Sequence, residues 1–165
     1  LHNAMLHNVI INLFDAYMLY LYEAPVWMRV GFGHYFTQIN DPRYNMYDLD
    51  EGSTEFSEDS KEWIKSIKSI VAKKEVLGFV SLGKMRSYGD ITFNAHVESW
   101  SKMVFMYEHS HDKFAKWILI LKNNPNATAN LDAQRSALKE AYGWSFMQAD
   151  EEWATWVNKL VVPKK

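Results

Sequence analysis

Apolar side chains recur along this chain at the spacing of an α-helix, and the recurrences are cut into segments by Pro, Gly and Asn. Trp63, Ile64, Ile67, Ile70 and Val71 mark one such stripe. Val97, Trp100, Val104 and Tyr107 mark a second, and Phe114, Trp117, Ile118 and Leu121 a third. A pattern of period 3.6 does not suit strands, whose side chains alternate. The spacing therefore predicts helices over 1–22, 26–38, 61–74, 93–109, 112–123, 131–142 and 149–160.

The punctuation supports those limits. Pro25 opens the second helix, since proline suits a first turn. Asn40, Asp41 and Pro42 stop it, and Asn124, Pro125 and Asn126 stop another. Gly143 sits where a left-handed cap would close the helix over 131–142. Residues 40–60 read as a polar, acidic loop carrying Asp48, Asp50, Glu51, Glu55, Glu58 and Asp59. Leu77 to Leu82 reads as a short strand or a helical turn. The fold class is mainly α, a multi-helix bundle in a single domain over 1–165.

Composition narrows the function classes. Hydrophobic residues make up 48% and aromatic residues 15%, enough for a packed core and against disorder. The formal net charge is -2, so no global basic field exists to hold nucleic acid. Without Cys there are no disulfides, thiolate metal sites or Cys nucleophiles. Residues 1–22 are apolar enough to consider a membrane span. However, His2, Asn3, His7, Asn8, Asn12 and Asp15 interrupt them, which favours a buried helix.

Candidate chemistry begins with Pro25, Trp27, Gly31, Phe32, Tyr35 and Phe36. This run resembles the second zinc motif of gluzincin metallopeptidases, the superfamily with a His-Glu-x-x-His helix. Phe93 to Trp100 resembles the helix that begins that family's C-terminal lobe. Ala137 to Gly143, with Glu151 to Val157, resembles its last pair of helices. The nearest likeness is to bacterial peptidase MA-like gluzincins, and it spans most of the chain in the right order.

The resemblance implies a helical zincin lobe without the β-sheet that precedes it in the family. It divides the chain into remnant zinc-motif helices over 1–38, the acidic loop, and a C-terminal helical lobe over 61–165. It also implies lost chemistry. The first His ligand falls on Asn3, the catalytic Glu on Ala4, the second His on His7, and the Glu ligand on Val30. Zinc catalysis needs three protein ligands and one open position. His2 and His7 cannot substitute, lying about 140° apart around a helix of 3.6 residues per turn. A rescued metal site would need His7 with His34 or His96, and a carboxylate such as Glu98.

These readings give a non-catalytic gluzincin-like domain, with no cofactor and no metal. It has a binding or structural role beside other protein subunits or a missing N-terminal β-domain. Two alternatives stay open. One is a metallohydrolase with atypical ligands. The other is an accessory subunit of a membrane or redox complex, docking through residues 1–22. The chain opens on Leu1 rather than Met, which reads as processing or as part of a longer protein. By resemblance the location is extracytoplasmic, periplasmic or exported.

Lesser motifs keep bland readings. Ser99, His96 and Asp90 could be drawn as a triad, without a nucleophile elbow to support it. Asp48, Asp50 and Glu51 have calcium-loop alternation, but Gly52 falls one position early for an EF-hand. His109 and His111 read as surface residues. Asn126-Ala127-Thr128 is a formal glycosylation sequon.

Overall fold

The computed structural model describes residues 2–18, 23–40, 45–50, 53–57 and 60–162. Among these, eight α-helices carry the fold: α1 His2–Ala16, α2 Val26–Asn40, α3 Ser60–Lys73, α4 Gly78–Gly83, α5 Phe93–His109, α6 His111–Lys122, α7 Leu131–Tyr142 and α8 Phe146–Lys159. A short 3-10 turn, Tyr88–Asp90, precedes α5.

Helix α5 is the axis of the bundle. Its residues from Ala95 to Met106 are all buried, and α2, α3, α6 and α8 pack around it. A helix enclosed on every side is normally apolar throughout. This one carries His96, Glu98, Ser99, Ser101 and Lys102 inside. Burying an unpaired polar group is costly, and His96, Glu98, Ser101 and Lys102 each find a partner within the protein, while the Ser99 hydroxyl has no hydrogen-bond partner among the described residues.

Side-chain caps set the later boundaries. Thr92 accepts the Ala95 amide at the start of α5, and Ser110 accepts the Lys113 amide at the start of α6. Ser145 and Gln148 form a capping box on α8. Gly143 closes α7 in the left-handed conformation, with φ 81°.

Gly31 sets the closest helix crossing. A Cβ there would lie 2.4 Å from the Ser99 carbonyl oxygen and 2.6 Å from its carbon. Only glycine lets α2 approach the α5 backbone so nearly.

Two sequence expectations need correction. The helix over 1–22 ends at Ala16, and Met18 turns the chain with a left-handed φ of 65°. Residues 19–22 lie outside the described residues. Nor is α1 buried all round: Ile11, Phe14 and Asp15 face inward, but Met5 is 60% and Leu13 65% exposed.

The acidic loop contains a hairpin. Strand β1, Asn45–Asp50, pairs antiparallel with β2, Ser53–Ser57, matching Asn45 to Ser57 and Met46 to Phe56. The register is irregular between Asp48 and Asp50. Paired strands are not the loop that an EF-hand needs.

Of the two readings open for Leu77 to Leu82, a short strand or a helical turn, the helical one holds. The segment forms α4, entered through Gly78 at φ 72°. Among the described residues, no helix is long and apolar enough to cross a membrane.

Candidate functional site: a buried histidine cluster

Three histidines from three helices meet beside the axis. His34 of α2 is fully buried, and its Nε2 lies 2.9 Å from Nδ1 of His96 on α5. His7 of α1 stacks obliquely on His34, with ring centroids 4.6 Å apart. Trp63 of α3 presents its ring to His34 at 4.9 Å, and Trp100 closes on Trp63 at 5.7 Å. The cluster is thus walled by aromatic surface rather than by charge.

Gly33 makes room for it. A Cβ at that position would stand 2.7 Å from His7 Cε1. The bare backbone lets the His7 ring settle on α2.

Two members of the cluster, His7 and His34, are neutral near pH 7. Burial drives the His34 proton affinity well below the ordinary imidazole range, and the neighbouring His7 and His96 push the same way. Burial also lowers His7 from 6.5 to about 4, against a smaller opposing effect of the Gly33 backbone. One proton serves the His34–His96 contact, because each neutral imidazole has one donor and one acceptor nitrogen.

The other positions tied to zinc lie apart from this chemistry. Asn3 and Ala4 lie in the first turns of α1, and their side chains are outside the described residues. Val30 is buried in the apolar core at 1% exposure, offering no donor. Glu98 faces away from the histidines. Its carboxylate accepts the Leu77 amide at 2.8 Å and the Gly78 amide at 3.4 Å, and lies 3.8 Å from Lys102 Nζ.

Among the described residues, no group of three or more His, Cys, Asp or Glu side chains is arranged to hold a metal ion. The described donors alone do not assemble the zinc centre that the gluzincin likeness would call for. Two histidines turn ring nitrogens toward each other and the third stacks on His34. The triad of Ser99, His96 and Asp90 does not assemble either. Asp90 is exposed and accepts the Arg86 and Ser87 amides at 2.7 and 2.9 Å, which hold its carboxyl below its usual range. His109 and His111 are exposed, as the sequence suggests.

Two features escaped the sequence reading. On the far side of α5, Lys102 is fully buried, with Nζ 2.7 Å from Asp150 Oδ1 and 3.5 Å from the centre of the Trp153 ring. Burial lowers its pKa, while Asp150 and Glu98 pull it back. A signal existed: Glu98 and Lys102 are four residues apart, on one face of a helix otherwise rich in apolar residues.

The second is an apolar cavity of about 470 Å³ between α1, α2 and α6, lined by residues including Leu13, Phe14, Tyr17, Phe32, Phe36 and Ile118. Beside it, Met5, Val9, Leu13 and Tyr17 form an exposed stripe along α1. The chain matches no family model, no curated protein and no solved structure.

Proposed function

We propose that this chain is a gluzincin-like domain without peptidase activity, working by binding another protein layer through α1. The observation that carries this reading is the histidine cluster. The position expected to supply a Glu ligand is the buried Val30, and the one histidine kept from the zinc helix, His7, packs on His34 and Gly33. Hydrolysis by a zinc-bound water needs an open coordination site and a base to take the proton. These residues offer neither.

The binding half rests on the α1 stripe. Four large apolar residues stand exposed at intervals of four, beside an apolar cavity. Contiguous exposed apolar surface of this kind marks interaction sites. The layer that covers it is either another subunit or a β-sheet elsewhere in the same protein. Following the family likeness, we place the protein outside the cytoplasm, in a periplasmic or exported setting.

Metal analysis with a peptidase assay tests the first half. The purified chain, supplied with excess zinc and then desalted, should retain less than stoichiometric metal and cleave no casein. A stoichiometric zinc ion lost on His7→Ala, with chelator-sensitive cleavage, would establish the metallohydrolase instead. For the second half, Leu13→Glu should raise solubility without altering the helical circular dichroism. A chain whose solubility and mass are indifferent to that change would refute a docking role for α1.

A further inference from the structure

We propose that the apolar cavity between α1, α2 and α6 binds an alkyl-chain carboxylate, whose tail fills the cavity and whose headgroup is held by Lys122. The cavity measures about 470 Å³, within the roughly 300–1,000 Å³ of small-molecule sites. Its described lining side chains carry one polar group, the Tyr17 hydroxyl, among rings and aliphatic chains such as Phe14, Phe32, Phe36 and Ile118. Such walls suit a hydrocarbon chain and leave the polar groups of a sugar or nucleotide unpaired.

Helical register brings charge to one end of the cavity. Lys122 stands one turn after the lining residue Ile118 on α6, and Arg29 one turn before the lining residue Phe32 on α2. Both reach Asp15 of α1, which lies between the lining residues Phe14 and Tyr17. Arg29 pairs with the Asp15 carboxylate at 2.6 Å, and Lys122 Nζ donates to the Asp15 backbone carbonyl at 2.8 Å.

Lys122 is the unsatisfied member of this group. It is 1% exposed, yet that backbone carbonyl is its one hydrogen-bond partner among the described residues. An ammonium has three hydrogens to donate, so two are unused. Burial lowers its pKa, against the pull of the Asp15 charge. A buried cation without a bonded anion is costly. Glu23 pairs with Arg29, but from the solvent side, where it is 64% exposed. A ligand carboxylate at Lys122 therefore supplies the charge that this end lacks. Asp15 Oδ1 also has no partner and opposes a second anion, but Arg29 neutralises that carboxylate at 2.6 Å. A bound carboxylate requires neither a lapsed peptidase nor a protein layer on α1.

Isothermal titration calorimetry of the whole chain with dodecanoate tests the site, with dodecyltrimethylammonium and octanoate as controls. Dodecanoate should bind one to one, about tenfold or more tighter than the cation of equal chain length. Octanoate should bind more weakly by over about tenfold, since each buried methylene contributes about 0.8 kcal/mol. Lys122→Met should weaken dodecanoate by about tenfold and leave the cation's affinity unchanged. Ala115→Trp, at an exposed lining position, should block both ligands. Equal affinity for anion and cation would overturn the proposal, as would binding without saturation or an unchanged dodecanoate affinity in Lys122→Met. A chain that ignores dodecanoate and sediments as a dimer would assign the cavity to a second copy instead. Should Lys122→Met not fold, the unmutated chain's preference for anion over cation decides.

Discussion

Two polar clusters flank the same buried helix, and they solve burial in opposite ways. His96 faces α2, where it shares a hydrogen bond with the neutral His34. Glu98 and Lys102 face α4 and α8, where charge is kept and fully partnered. Lys102 binds Asp150 and lies over Trp153. Glu98 accepts two amides at the entry to α4, and Asp150 accepts the Phe79 amide there. A neutral cluster can lose one member at the cost of a hydrogen bond. A charged one cannot, because the remaining partner is then a buried, uncompensated ion.

That contrast yields its largest test at Lys102. Lys102→Ala leaves Glu98 buried without its cation and opens a space under Trp153 and Phe79. A loss of about 4 kcal/mol is expected, read as the urea midpoint at neutral pH. Lys102→Met keeps most of the volume and separates the two contributions. If Lys102→Ala costs under about 1 kcal/mol, the cluster is no more than a surface-like ion pair and the comparison fails.

Gly31→Ala comes next and acts on the histidine side alone. The new methyl would meet the Ser99 backbone, which cannot rotate away as a side chain could. Helix α2 must then move off α5, with an expected cost of about 3 kcal/mol. The same shift should lengthen the His34–His96 contact and carry the histidine titrations back toward 6.5. Lys102 and Asp150 lie on α5 and α8, so a crystal structure of the variant should leave their 2.7 Å contact intact.

The ease of reading these two sides from the sequence differed for physical reasons. The limits of α5 and α7 were legible because Thr92 and Gly143 are local signals, complete within a few residues. The end of α1 was not. Met18 takes the left-handed turn without being Gly or Asn, so nothing in its identity announces it. The hairpin over 45–57 was hidden by its acidity, which is the usual mark of a hydrated loop. For the site, helical geometry separates Glu98 from His96. Two residues on a helix are about 200° apart, so both could not face one ion. The meeting of His34 and His96 is another matter. They are 62 positions apart, and only the α2–α5 crossing at Gly31 joins them.

Acid gives the third test. His7, lowered from 6.5 to about 4, by itself removes about 2 kcal/mol of stability between about pH 7 and pH 5, the folded state binding fewer protons than the unfolded, and His34, also lowered, works in the same direction. The same decrement should appear in the Lys102→Met background, since the two clusters share no hydrogen bond and distant effects add. A different decrement there would mean that the clusters are coupled through α5.

The smallest effect is expected at the most deeply buried histidine. His34→Gln replaces a neutral, hydrogen-bonding ring by a neutral, hydrogen-bonding amide that can still face His96. The ring contacts with His7 and Trp63 are weakened, but no charge is left behind. Net hydrogen-bond contributions are about 1 kcal/mol, so the loss at pH 7 should be of that order. At about pH 5 His34→Gln should be no worse than the unmutated chain, because the substitution removes a buried imidazole whose pKa burial lowers and which therefore costs stability as pH falls. Urea titrations at the two pH values measure both quantities. A cost at neutral pH as large as that of Lys102→Ala would mean that His34 holds a charge or an ion, and the two faces of α5 would then be alike.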